Sequence, residues 1–243
     1  MMNWKKMMLT AVAVLGSVGL AAASPVTITF TNSYSGLGGP TQGVYYYPYF
    51  LQVNGGGQIS VVCDDYYNNT YVKNPGESWL ATVNTFTDAQ GTGLTGGLFL
   101  NAPPTGYATY NNISTLQAYR EAAWLDQQFT NPTIPGVNSN DWAAINFALW
   151  DLFDANAQTL NASSPLDMTS SVFWLNQAGS ADLTNFDFSN FVIYTPLSGW
   201  PSNDGTPQEF ISEVPEPATL LLLLGGLACL AGWEWRRRQL VTG

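Results

Sequence analysis

From Ala218 to Trp233 the chain carries no charged side chain and is mostly leucine, alanine and glycine, a composition that cannot be left in water. Val214-Pro215-Glu216-Pro217 stands in front of this stretch, and Glu234 and the arginines Arg236, Arg237 and Arg238 follow it. Crossing a bilayer takes roughly 17–25 apolar residues, so the stretch reads as a transmembrane helix near the lower limit of length. Trp233 and Trp235 sit where an interfacial aromatic belt lies, and the arginine cluster fixes the cytoplasmic side. The other end has a matching constraint. Met1 to Lys6 is a short basic region, Met7 to Leu20 is apolar, and Ala21-Ala22-Ala23 supplies small residues for cleavage. Residues 1–23 therefore read as a secretory signal peptide cut after Ala23.

Between the two ends lie about 190 residues, 24–213, enough for one domain with its own core. Lys73 and Arg120 are the only basic residues in that body; the other five of the seven belong to the ends. No patch is available to neutralise phosphates, which excludes a nucleic-acid partner. There is no histidine in the chain. That removes the Ser-His and Cys-His nucleophile pairs and the commonest transition-metal ligand, and neither a cofactor nor a metal is expected. Asp64 with Asp65, or Asp151 with Asp154, are the pairs from which a carboxylate mechanism would be built. No catalytic residue is assigned from the sequence, and the chain is read as a non-enzyme. Cys229 lies in the C-terminal apolar stretch, so Cys63 is alone in the body and no intrachain disulfide framework is available.

Periodicity divides the body. Val26-Thr27-Ile28-Thr29-Phe30 alternates apolar and hydroxyl residues, as a half-buried strand does. Tyr45 to Val53 and Ile59 to Cys63 are further strands joined across Gly55-Gly56-Gly57, and Trp79 to Phe86 precedes a glycine-rich loop from Gly91 to Gly97. Phe191 to Tyr194 and Phe210-Ile211 complete the strands. The middle changes to a helical period. Ser114 and Gln117 make a capping box ahead of Ala118, Ala122, Leu125 and Phe129, and Asn131-Pro132 ends that helix. Trp142, Ile145, Leu149 and Phe153 form the stripe of a second helix running from about Asn140 to Ala157, and a shorter one spans Met168 to Asn176. The expected fold is α+β: a β-rich sandwich or barrel over 24–213, a helical insertion near 114–157, and a C-terminal transmembrane helix.

The tail resembles a known signal. Val214-Pro215-Glu216-Pro217, the apolar stretch and Arg236 to Arg238 occur in the order of the PEP-CTERM sorting signal, here residues 214–238. That resemblance implies an exported protein of a Gram-negative cell. The secretion machinery delivers it, the inner membrane holds it transiently, and an exosortase processes it for the cell surface or the extracellular space. It also implies a biofilm or exopolysaccharide setting, with extracellular polysaccharide or surface proteins as partners.

A second resemblance concerns the body. Asn146 lies one turn from both Trp142 and Trp150 on an apolar helix side, where an unpaired carboxamide costs roughly 1–3 kcal/mol. Cys63 followed by Asp64, together with Ala144-Ile145-Asn146-Phe147-Ala148-Leu149-Trp150, resembles the thioester domains of bacterial surface adhesins. In those domains a thiolate attacks a glutamine side chain and expels ammonia. Here the position holds asparagine, shorter by one methylene, and displacement on the ångström scale can cost about 100-fold in rate. The expectation is that Cys63 lies near the helix of Asn146 without being joined to it. The favoured function is a surface or matrix protein acting by binding or self-association. The alternatives are a covalent adhesin using Cys63, or a polysaccharide-active enzyme with a carboxylate pair. Tyrosines 45–47, 49, 66 and 67 are candidate sugar platforms.

Overall fold

A computed structural model describes residues 25–33, 44–68, 76–155, 157, 159–197 and 207–214. The expected signal peptide and the sorting signal beyond Val214, with its transmembrane helix, lie outside the described residues. Among the described residues no helix is long and apolar enough to cross a membrane.

The alternating segments form six strands: β1 (Val26–Ser33), β2 (Tyr49–Val53), β3 (Gln58–Cys63), β4 (Ser78–Thr85), β5 (Phe191–Pro196) and β6 (Phe210–Glu213). They close into a barrel in the order β1-β2-β3-β6-β5-β4, with every neighbouring pair antiparallel. Of the two architectures left open by the sequence, sandwich or barrel, the chain adopts the barrel. In β1, Ile28 and Phe30 are fully buried while Thr27 faces solvent, as strand alternation requires. Asn54 and Gly55 turn β2 into β3 with φ of 51° and 68°, and the Gly56 N–H donates to the Val53 carbonyl. Positive φ at both central residues is what glycine and asparagine allow in a tight hairpin turn. The first strand of this hairpin begins at Tyr49, later than the β-prone run suggests, because Pro48 has no N–H to give to a ladder.

Between β4 and β5 the chain builds a helical layer: α1 (Leu98–Asn101), α2 (Thr115–Thr130), α3 (Trp142–Phe153) and α4 (Ser171–Ser180). Ser114 Oγ accepts from the Gln117 N–H at 3.1 Å. The capping box is only half made, because the Gln117 carboxamide turns to Glu121 and Arg120 instead. α3 stops at Phe153 rather than near Ala157. Asp154 turns extended and bridges to Ala108, and the Ala155 N–H donates to the Ala108 carbonyl. α4 begins after Met168 because Asp167 captures the amides of Thr169 and Ser170 in a turn.

Every residue of α3 from Ala143 to Phe153 is buried, the mark of a helix enclosed on all sides. It packs against α2, α4 and β3, while α2 also covers β6. This explains why the last three residues of β3 and the first three of β6 are buried without alternation: the barrel covers one face and the helices the other. Inside, Tyr49 and Trp79 both meet the ring of Phe210. Fully burying aromatic side chains such as Trp150, Trp174 and Phe147 contributes roughly 1.5–3 kcal/mol each.

Candidate functional site

The seam where β3 meets β6 beneath α2 and α3 gathers a cluster of buried polar groups. Cys63 ends β3, and Asp64 and Asp65 follow it; Glu209 enters β6; Tyr119 comes from α2 and Asn146 from α3. All six are buried.

Asn146 uses its carboxamide on the backbone. Its Oδ1 accepts from the Tyr47 N–H at 2.8 Å and its Nδ2 donates to the Cys63 carbonyl at 3.0 Å. The structure thus brings Cys63 and Asn146 together, with the carboxamide spent on two main-chain groups 99 and 83 residues away. The Cys63 thiol donates to the Asp65 carbonyl at 3.2 Å. Burial pushes that thiol well above its usual value, and the neighbouring Asp65 and Asp64 charges push it further. Since the thiolate is the nucleophile, Cys63 is held in its inert form.

The acids divide by their partners. Asp65 accepts from the Tyr67 and Asn68 amides at 2.9 and 3.1 Å and from Asn68 Nδ2 at 2.6 Å, so burial raises its carboxyl against these donors. Glu209 accepts from the Leu98 N–H at 2.6 Å, the Tyr119 hydroxyl at 2.5 Å and the Thr195 hydroxyl. Burial still lifts it to about 7. Asp64 is different: it is fully buried, neither oxygen meets a donor at full hydrogen-bonding geometry, and the carboxyls of Glu209 and Asp65 are its neighbours. Burial first, then those charges, hold it well above the carboxylate range. A buried acid without donors keeps its proton.

The second sequence pair is also inside. Asp151 lies on the enclosed α3, receives Ser171 Oγ at 3.4 Å, and is raised by burial to about 7; Asp154 caps the same helix. Among the tyrosines, Tyr47 stacks on Phe129 at 3.9 Å and Tyr49 is buried against Phe210, so these two are core residues rather than platforms. Tyr45, Tyr46, Tyr66 and Tyr67 are half-buried. Among the described residues no group of three or more acidic or cysteine side chains is arranged to hold a metal ion. A surface groove of about 770 Å³ lies elsewhere, lined by Asn138, Asp141, Ser163, Leu166, Asp167 and Met168 among others.

Sequence reasoning passed over Glu209 and Tyr119. They are 90 residues apart and meet only because the helical layer folds back over the last strand. The one local signal was an acid directly before the apolar Phe210-Ile211.

Residues 213–238 match the family model of the PEP-CTERM protein-sorting motif. The chain carries this sorting motif. It implies an exosortase as partner, with export and sorting to the cell surface. No curated protein and no solved structure shows significant similarity to the chain. The resemblance of the body to thioester domains finds no support in these comparisons.

Proposed function

We propose that the protein is an exported cell-surface or extracellular-matrix component whose body acts by binding or self-association, in an exopolysaccharide or biofilm setting. The observation that carries this reading is the PEP-CTERM motif directly after a folded body. Its partners are the secretion machinery and an exosortase, then extracellular polysaccharide or surface proteins, and the inner membrane holds it before processing. The body is read as non-catalytic. Both sequence-derived acid pairs are buried in the core, whereas a glycosidase presents its two carboxyls to a cleft.

The 770 Å³ groove is the candidate contact surface, with Asn138 and Ser163 offering hydrogen bonds beside an exposed Leu166. Arg120 is the single basic side chain among the described residues, and its guanidinium lies over the Phe188 ring. An acidic body with so little positive charge suits neutral polymers better than polyanions. The test is cosedimentation of the processed protein with the surface polysaccharide of its host, beside size measurement of the protein alone. Retention on the polysaccharide or concentration-dependent assembly supports the reading. A monomer that stays in the supernatant under both conditions contradicts it.

A further inference from the structure

β6 is the strand that closes the barrel, and it is the last strand before the sorting motif. It is four residues long and registers with β3 through only two pairs, Val62 with Ile211 and Cys63 with Phe210. At the mouth of that seam the main-chain bond from Asp64 N–H to the Glu209 carbonyl is stretched to 3.4 Å, as is the contact from Glu209 N–H to Asp65 Oδ2. Such long bonds hold weakly. The Glu209 side chain does more, tying the entry of β6 to α1, α2 and β5 through Leu98, Tyr119 and Thr195.

Directly across the seam stands Asp64, whose oxygens meet no donor at full hydrogen-bonding geometry and whose neighbour is the Glu209 carboxyl. We propose that Asp64 is the proton-dependent half of a clasp with Glu209 on β6, so that loss of the Asp64 proton opposite the Glu209 carboxylate loosens the closing strand and opens the barrel between β3 and β5. The groups facing the pair are Asp65 and the Cys63 thiol at the end of β3 and the Tyr119 hydroxyl on α2, all neutral or negative. At the far end of β6 the Glu213 N–H donates to the buried Asp126 carboxyl at 2.8 Å, with the Glu213 carboxyl beside it. The one described cation, Arg120, is engaged by Phe188 and Gln117. Two carboxylates on opposite sides of a two-pair seam repel in a medium that screens them poorly. Glu209, with three donors, is the member that tolerates charge, and Asp64 is the one that must keep its proton. The clasp stands whether or not the body binds a matrix component.

Amide hydrogen exchange of the full chain in detergent tests this, corrected for the intrinsic pH dependence of exchange. It should run from about pH 5 to about pH 9, upward from the carboxylate range of the opened chain, because a raised acid loses its stabilisation between that range and its folded value. Protection of Phe210–Glu213 should fall by up to about tenfold per pH unit for each proton released, while the β1–β2 hairpin holds. Asp64→Asn and Asp64→Leu should each flatten this dependence. Parallel loss in β6 and the β1–β2 hairpin overturns the proposal, as does an unchanged slope in a folded Asp64 variant. If neither variant folds, the comparison of the two segments in the unaltered chain decides alone.

Discussion

At the scale of single residues, Asn146 is the clearest case of a polar side chain placed for the backbone. It satisfies one amide and one carbonyl that the enclosed seam leaves without ladder partners. Each group orphaned in such a place costs roughly 1–3 kcal/mol, so Asn146→Ala should lower stability by about 2–5 kcal/mol in denaturant unfolding. A change under about 0.5 kcal/mol, the range of ordinary surface substitutions, would show that the two bonds carry nothing. The same geometry bears on covalent chemistry. With the carboxamide engaged and the thiol donated to Asp65, peptides bearing Cys63 and Asn146 should separate on digestion with unmodified masses, and methylamine should add nothing. An ammonia loss that methylamine reverses and Cys63→Ala abolishes would restore the covalent adhesin.

At the scale of elements, the loop into α1 is fixed by a close approach. A Cβ on Gly97 would sit 2.7 Å from Tyr119 Cζ, and Tyr119 is the residue that holds Glu209. Gly97→Ala should therefore destabilise the chain by roughly 1–3 kcal/mol, as overpacking does. Gly106→Ala is no neutral control, since its φ of 85° brings its own strain, but Gly57→Ala meets open space and should cost far less. Thermal unfolding of the two variants separates them. Most elements were legible because their periods are local. The alternation of β1 and the stripe of α3 are readable within a dozen residues, and the Gly55-Gly56-Gly57 connection within three, although the turn itself is centred on Asn54 and Gly55. The boundaries that slipped did so for reasons outside that window: Ala108 ends α3, and Asp167 delays α4. The seam was legible in half. Cys63 and Asn146 were visible as a strand-end thiol and a polar residue on an apolar stripe. Glu209 and Tyr119 were not, because nothing short of the folded helical layer puts residues 90 positions apart against each other.

At the scale of the whole molecule, the body buries several carboxyls, of which among the described residues only Glu121 feels a nearby cation, Arg120. Asp64, Asp65, Glu121, Asp126, Asp151 and Glu209 are all raised, each with burial as the main cause. A raised acid holds a proton in the fold that the unfolded chain releases, so its stabilisation is complete below about pH 4 and is lost as pH rises through the folded value, about 7 for Asp151 and Glu209. Exposed Asp88, Asp167, Asp182 and Asp187 are lowered and act in the opposite sense, but solvent screens them. The net expectation is a protein more stable at mild acid than at mild alkali. Each pKa unit is worth about 1.4 kcal/mol, or a few degrees of Tm for a body of this size. A Tm that rises from about pH 5 to about pH 8 would contradict the neutral state of these acids. What most directly tests the account is where the chain goes. Cells producing the full chain should be fractionated beside cells producing residues 1–213, and beside cells carrying Arg236, Arg237 and Arg238 replaced by glutamine. The full chain should pass through the inner membrane to the cell surface, the truncated chain should appear directly in periplasm or medium, and the arginine variant should be impaired in retention or orientation. A truncated chain that still fractionates with the inner membrane, or that reaches the surface as the full chain does, would contradict sorting by the tail.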